Sequence, residues 1–230
     1  MAKSMLSFIQ YQEYVKEAGY FVIPFGALEN WRATGDAPDV VKACTHDLWQ
    51  AENDRNPDKF PEWHGRQWPG NCHIAKRYAV HFDVEWDPEA VWLTAPRTKK
   101  VDIVFHMPIR RSVRPAIEWA HILKVFRQLN YSVLILGGRD DIEEWRFYAG
   151  RIPRLAPDTL LQSADYINSA KLFIGGASSC NTIAEGLKKH RIVELADDCD
   201  DTYPYGDTGQ CANGMSLGDI VEKAQVILDG

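Results

Sequence analysis

From about residue 100 onward the chain alternates short apolar runs with longer amphipathic ones, and this alternation constrains the fold more than any other feature. "VDIVFHMP" is an apolar strand ending at Phe105. "RPAIEWAHILKVFRQL" follows, with Ile117, Ile122, Leu123, Phe126 and Leu129 at helical spacing and Pro115 in a first-turn position. "YSVLILGG" is a strand closed by two glycines, and "DDIEEWRFYAG" is a helix ended by Gly150. "DTLLQSADYINSA" is a helix capped by Asp158 or Thr159. "KLFIGG" is a strand, "SSCNTIAEGLKKH" a helix and "RIVELA" a strand. The last helix opens with "SLGD", where Ser216 and Asp219 have capping-box spacing. Strands and helices alternating at this size imply a parallel sheet covered by helices on both faces, an α/β protein.

The first hundred residues are less regular. "YFVIPF" reads as a strand and "DAPDVVKACTHDLWQ" as a helix. "AENDRNPDKFPEWHGRQWPGN" is polar, Pro-rich and punctuated by Trp, more loop than element. "CHIAKRYAVHF" is a short helix and "DVEWDPEAVWLTAPRTKK" a linker. Six of the eight Trp precede residue 93, where they would hold together a small domain with few regular elements or stack on a sugar ring.

A net charge of −6 supplies no global attraction to nucleic acid or to an anionic membrane. The start, "MAKSMLSFIQYQEYVKEAGY", reads as an amphipathic helix rather than a signal peptide, and no apolar run is long enough to span a bilayer. The five cysteines, Cys44, Cys72, Cys180, Cys199 and Cys211, are odd in number and form no C-x-x-C pair. Free thiols in a reducing cytoplasm are therefore expected, and a soluble cytoplasmic protein with them.

In an open parallel sheet ligands sit beyond the carboxyl ends of the strands. Four loops should emerge there: "HMPIRRSVR", "GGRDD", "GASSCNT" and "DDCDDTYPYG". The third places Gly176, Ser178, Ser179, Asn181 and Thr182 at a helix start, where free backbone N–H groups and the helix dipole favour an anion. Arg110, Arg111 and Arg114 in the first loop could add charge for a diphosphate, with His106 at the strand end beside them. The alternative is an ordinary serine N-cap and solvated arginines. No G-x-G-x-x-G follows a strand and no G-x-x-x-x-G-K-[ST] occurs, against a nicotinamide enzyme and a P-loop NTPase. The cluster Asp197, Asp198, Asp200 and Asp201 reads as a solvated loop, so no metal site is expected.

Together these segments resemble glycosyltransferase family 9, the heptosyltransferase-like GT-B enzymes. "IVFHMPIRRSVRPAIEWAHIL", "VLILGGRDD", "LLQSADYINSAKLFIGG" and "ASSCNTIAEGL" follow that family's C-terminal order, and Tyr203 to Gly206 resemble its closing turn. "CHIAKRYAVHFDVEWDPEA" looks like the segment before the family's interdomain linker. Near the start, "VIPFGALENW" resembles the strand and turn that carry the family's catalytic base, with Gly26, Ala27 and Leu28 agreeing. Glu29 stands where the family has Gly and Asn30 where it has Asp, while Ala177 and Thr182 replace an Asp and a His of the phosphate loop.

The resemblance implies a GT-B-like chain with a Rossmann-type C-terminal half and a small, truncated α/β N-terminal domain. Its boundaries would be 1–95 for the reduced acceptor side and 96–230 for the nucleotide-sugar-binding side. It implies a metal-independent, inverting transferase that needs no cofactor and uses a nucleotide-diphosphate sugar to glycosylate an acceptor hydroxyl. The diphosphate would rest on the 178–182 helix start, with Gly137, Gly138 and Asp140 or Asp141 holding the nucleoside. Glu29, or else Asp36, would take the acceptor proton, since Asn30 cannot. Two alternatives stay open: a degenerate domain that binds a nucleotide or nucleotide sugar without turnover, and half of an enzyme completed by a partner subunit or a second copy.

Overall fold

The computed structural model describes residues 85, 87–108, 112–196 and 203–230. The expected N-terminal domain with Glu29, Asn30 and Asp36, the pair Arg110 and Arg111, and the acidic cluster from Asp197 to Asp201 lie outside the described residues. Asp87–Gly230 fall within one compact unit.

Among the described residues six strands and five helices follow one another. They are β1 (Ile103–His106), α1 (Ala116–Gln128), β2 (Val133–Leu136), α2 (Arg139–Tyr148), β3 (Arg154–Leu155), α3 (Leu160–Ser169), β4 (Leu172–Gly176), α4 (Ser179–Gly186), β5 (His190–Glu194), β6 (Gly209–Cys211) and α5 (Leu217–Asp229). All pairings are parallel, in the order β3-β2-β1-β4-β5-β6. The order reverses between β1 and β4, where Phe105 pairs with Ile174 and His106 with Gly175. An α/β architecture was expected; the edge strands β3 and β6, two and three residues long, were not. Runs that short carry no periodicity to detect.

The central strands β1 and β4 are buried along their whole length, which is why they read as continuous apolar runs. Strand alternation divides them between two cores. Ile103 and Phe105 point to the core that contains Trp119, Phe126, Trp145, Ile220 and Leu228, from α1, α2 and α5. Val104 points to the opposite core, with Ala164, Ile167, Cys180 and Ile183 from α3 and α4. His106, two residues beyond Val104, therefore lies on the α3 and α4 side.

Local capping agrees with the sequence at three helix starts. Thr159 caps α3 by accepting from the Gln162 amide, and Ser178 caps α4 by accepting from the Asn181 amide. In α5 the Ser216 hydroxyl accepts from the Asp219 amide at 3.1 Å, and the Asp219 carboxylate accepts from the Ser216 amide at 2.8 Å. Each such cap satisfies amides that the helix itself leaves open.

Gly175 is required by close packing at the strand-order reversal. A Cβ there would lie 2.5 Å from the His106 carbonyl oxygen and 2.6 Å from the Phe173 ring. The end of β1 is held from the other side by Trp145, whose indole N–H donates to the Met107 carbonyl at 2.8 Å. Phe105 meets the Trp145 ring edge-on at 5.0 Å between centroids. Packing thus holds the strand ends that border the site.

Candidate functional site

A cavity of about 190 Å³ opens beside the carboxyl ends of β1 and β2. Its lining includes His106, Gly137, Gly138 and Ser179, four residues that the sequence singled out. Pro157, Asp158, Thr159, Leu160, Ser163 and Cys180 complete it. Gly138 is the N-cap of α2, Thr159 the N-cap of α3, and Ser179 the first residue of α4. Three helices therefore turn their positive ends toward one small space.

The polar groups here are largely assigned. The Gly137 amide donates to the Leu155 carbonyl at 3.3 Å, and the Gly138 amide to the Asp141 carboxylate at 3.1 Å. The two glycine N–H groups expected to hold a nucleoside are thus engaged within the chain. The Ser178 hydroxyl is used as the α4 cap, and Thr182 donates its hydroxyl to the Ser178 carbonyl at 3.3 Å. Asp140 is exposed and Asn181 buried, and neither lines the cavity, nor do Gly176, Ser178 and Thr182. The Ser163 hydroxyl donates to the Thr159 carbonyl at 3.3 Å.

His106 is 7% exposed, and its Nδ1 lies 2.9 Å from the Leu136 carbonyl oxygen. Burial pulls its pKa below the ordinary 6.5, against smaller opposing effects of that hydrogen bond and of Asp141. Burial likewise pushes the Cys180 thiol up to about 12, so it lines the cavity as a neutral group.

Arg114 is placed differently from the sequence expectation. Its guanidinium forms an ion pair with Glu194, Nε to Oε1 at 3.4 Å, and donates to the Ala212 and Met215 carbonyls at 2.9 and 2.5 Å. It does not line the cavity. Glu194, at the end of β5 and 2% exposed, also accepts from the Ser112 hydroxyl at 2.8 Å and from the Val113 and Arg114 amides at 2.9 and 3.1 Å. Sequence reasoning passed over Glu194, and a carboxylate ending an apolar strand on the ligand side was the available signal. It also passed over Pro157 to Ser163 as lining residues, because the loop before α3 follows the unrecognised strand β3.

A larger groove of about 500 Å³ runs along α5 beside β6, and none of the expected site residues lines it. Among the described residues no group of three or more His, Cys, Asp or Glu could hold a metal ion, and no helix is long and apolar enough to cross a membrane.

No protein-family model matches this chain, and no curated protein does. Solved structures match. The E. coli heptosyltransferase WaaC solved with ADP aligns over 98% of this chain and 88% of its own, at 11% identity and a TM-score of 0.54. The chain shares the fold of that heptosyltransferase. The E. coli ADP-heptose LPS heptosyltransferase II covers 72% of this chain and 55% of itself, at 15% identity and a TM-score of 0.48. A glycosyl transferase family 9 structure from Veillonella parvula covers 53% of this chain and 40% of itself, at 18% identity and a TM-score of 0.43. The chain thus spans about half the length of the last two structures. In this GT-B-like frame the strand-order reversal between β1 and β4 is the topological switch point, where open α/β sheets bind ligands.

Proposed function

We propose that this chain is a glycosyltransferase that moves a sugar from a nucleotide-diphosphate sugar to an acceptor hydroxyl. One observation carries this reading: the starts of α2, α3 and α4 meet at a single cavity beside the switch point. Such a convergence of helix N-termini suits an anionic donor. The donor's diphosphate rests on the first turn of α4, around Ser179. Because Arg114 is committed to Glu194, positive charge for the leaving group falls to Arg110 and Arg111. Those two arginines take the place of a metal, and the transfer inverts the sugar carbon.

Residues 1–95 form the reduced acceptor side and 96–230 the donor side of a cytoplasmic enzyme. Glu29, or else Asp36, is the base that removes the acceptor proton, a task that the amide of Asn30 cannot perform. The experiment is calorimetric titration of the full chain with ADP, UDP, GDP and their common sugar conjugates. Micromolar binding of one base class supports the reading and names the donor. No binding across the panel sinks it.

A further inference from the structure

His106 carries information that the donor-site reading does not use. Strand alternation turns its ring toward α3 and α4, and it lines the cavity while remaining almost wholly buried. A backbone carbonyl can only accept, so the Nδ1 atom 2.9 Å from the Leu136 oxygen carries the proton. In the neutral ring Nε2 then presents a lone pair. Among the described residues no group donates to that lone pair. The cavity, about 190 Å³, is smaller than the about 300–1,000 Å³ that encloses a drug-sized ligand, so it takes one ring or group of a larger donor.

A phosphate oxygen placed at Nε2 would set acceptor against acceptor. It could be accommodated only by protonating a buried ring. The charged and titratable groups facing this region are Asp141 at the start of α2, Asp158 before α3 and the neutral Cys180 thiol on α4. Neither carboxylate welcomes an anion. A hydroxyl, in contrast, donates to Nε2 directly.

Resting on the donor-site reading above, we infer that His106 is a specificity-determining residue that accepts a hydrogen bond from a hydroxyl of the donor's sugar portion. The diphosphate is carried by the α4 start and not by His106. The hydroxyl belongs to the ribose or to the transferred sugar, which share this chemistry.

The test uses the full chain as wild type, His106→Gln and His106→Asn. Gln offers an amide oxygen near the position of Nε2; Asn keeps a donor for Leu136 and loses the acceptor. Each is titrated at pH 5.5 and pH 8 with ADP, UDP and GDP, their 2′- and 3′-deoxy forms, their sugar conjugates and inorganic pyrophosphate. Expected is at least a tenfold loss of nucleotide or nucleotide-sugar affinity in His106→Asn, retention within about threefold in His106→Gln, and unchanged pyrophosphate binding. Wild-type affinity should not tighten at the lower pH. A deoxy form that loses the same factor in wild type, and nothing further in His106→Asn, identifies a ribose hydroxyl. Sensitivity confined to the sugar conjugate identifies the transferred sugar. Imidazole nitrogen NMR of the wild type, which needs no variant, should show the neutral Nδ1–H form before and after ligand. Pyrophosphate weakened by His106→Asn, tightening on acidification, or a doubly protonated ring in the complex overturns the inference. Wild-type binding with all variants equal overturns it alone; no wild-type binding to any nucleotide overturns the donor-site reading and this inference together.

Discussion

Arg114 and Glu194, separated by 80 residues in sequence, form an ion pair with both side chains largely buried, 16% and 2% exposed. Glu194 also accepts from both backbone amides and the hydroxyl of the segment 112–114, so one carboxylate anchors the loop that follows β1. Glu194→Ala would leave the Arg114 guanidinium with only the half-exposed Glu118, 3.9 Å away, as a carboxylate partner, and breaking a buried pair costs about 3–5 kcal/mol. Urea unfolding should show that loss, with Glu194→Gln intermediate because an amide oxygen still accepts. A loss below about 1 kcal/mol would mean that the pair behaves like an exposed one.

Gly175→Ala places a methyl group 2.5 Å from the His106 carbonyl oxygen. Something must shift, and overpacking of this kind costs about 1–3 kcal/mol. Both partners border the switch point, so thermal unfolding and nucleotide binding should deteriorate together. Unchanged melting would show that β1 and β4 separate there at little cost.

Asp165 joins the linker to α3. Burial is the largest influence on its pKa and acts upward, but the Thr98 hydroxyl and amide at 2.6 and 2.8 Å, with Lys99 and Ser169, outweigh it. The carboxyl therefore titrates below its ordinary 3.8. A lowered folded-state pKa contributes stability above the unfolded pKa, and the contribution is lost as pH falls through the folded value. Urea midpoints of wild type and Asp165→Asn should differ most at neutral pH and converge under acid. A constant gap would show that the carboxylate's charge plays no part.

Glu29→Gln should abolish sugar transfer while leaving the melting temperature nearly unchanged, whereas Asn30→Ala should leave transfer intact. Product formation from a nucleotide sugar, assayed beside thermal melting, checks both. Turnover in Glu29→Gln would move the base to another residue, with Asp36 next to be replaced.

Much of the fold was legible because its signals are local. Ser178 and Thr159 cap helices where the sequence has hydroxyls before amphipathic runs, and Ile103 to Phe105 read as a central strand because both faces are buried. The ion pair of Arg114 was hidden for the opposite reason. A basic loop looks the same whether it is solvated or braced, and only Glu194, on another strand, distinguishes the two. Pro157 to Ser163 escaped notice as a cavity wall because β3, which places them, is two residues long.

By itself the sequence determined the α/β class, the succession of the long elements and the helix caps, since these depend on periods of two and 3.6 residues and on neighbours within one turn. The tertiary structure alone decided that β4 lies beside β1, because parallel pairing joins segments remote in sequence. From that placement follow the three helix starts at one cavity and the close approach at Gly175. The proton on His106 is likewise set by the Leu136 carbonyl of a neighbouring strand, at a distance no local pattern encodes.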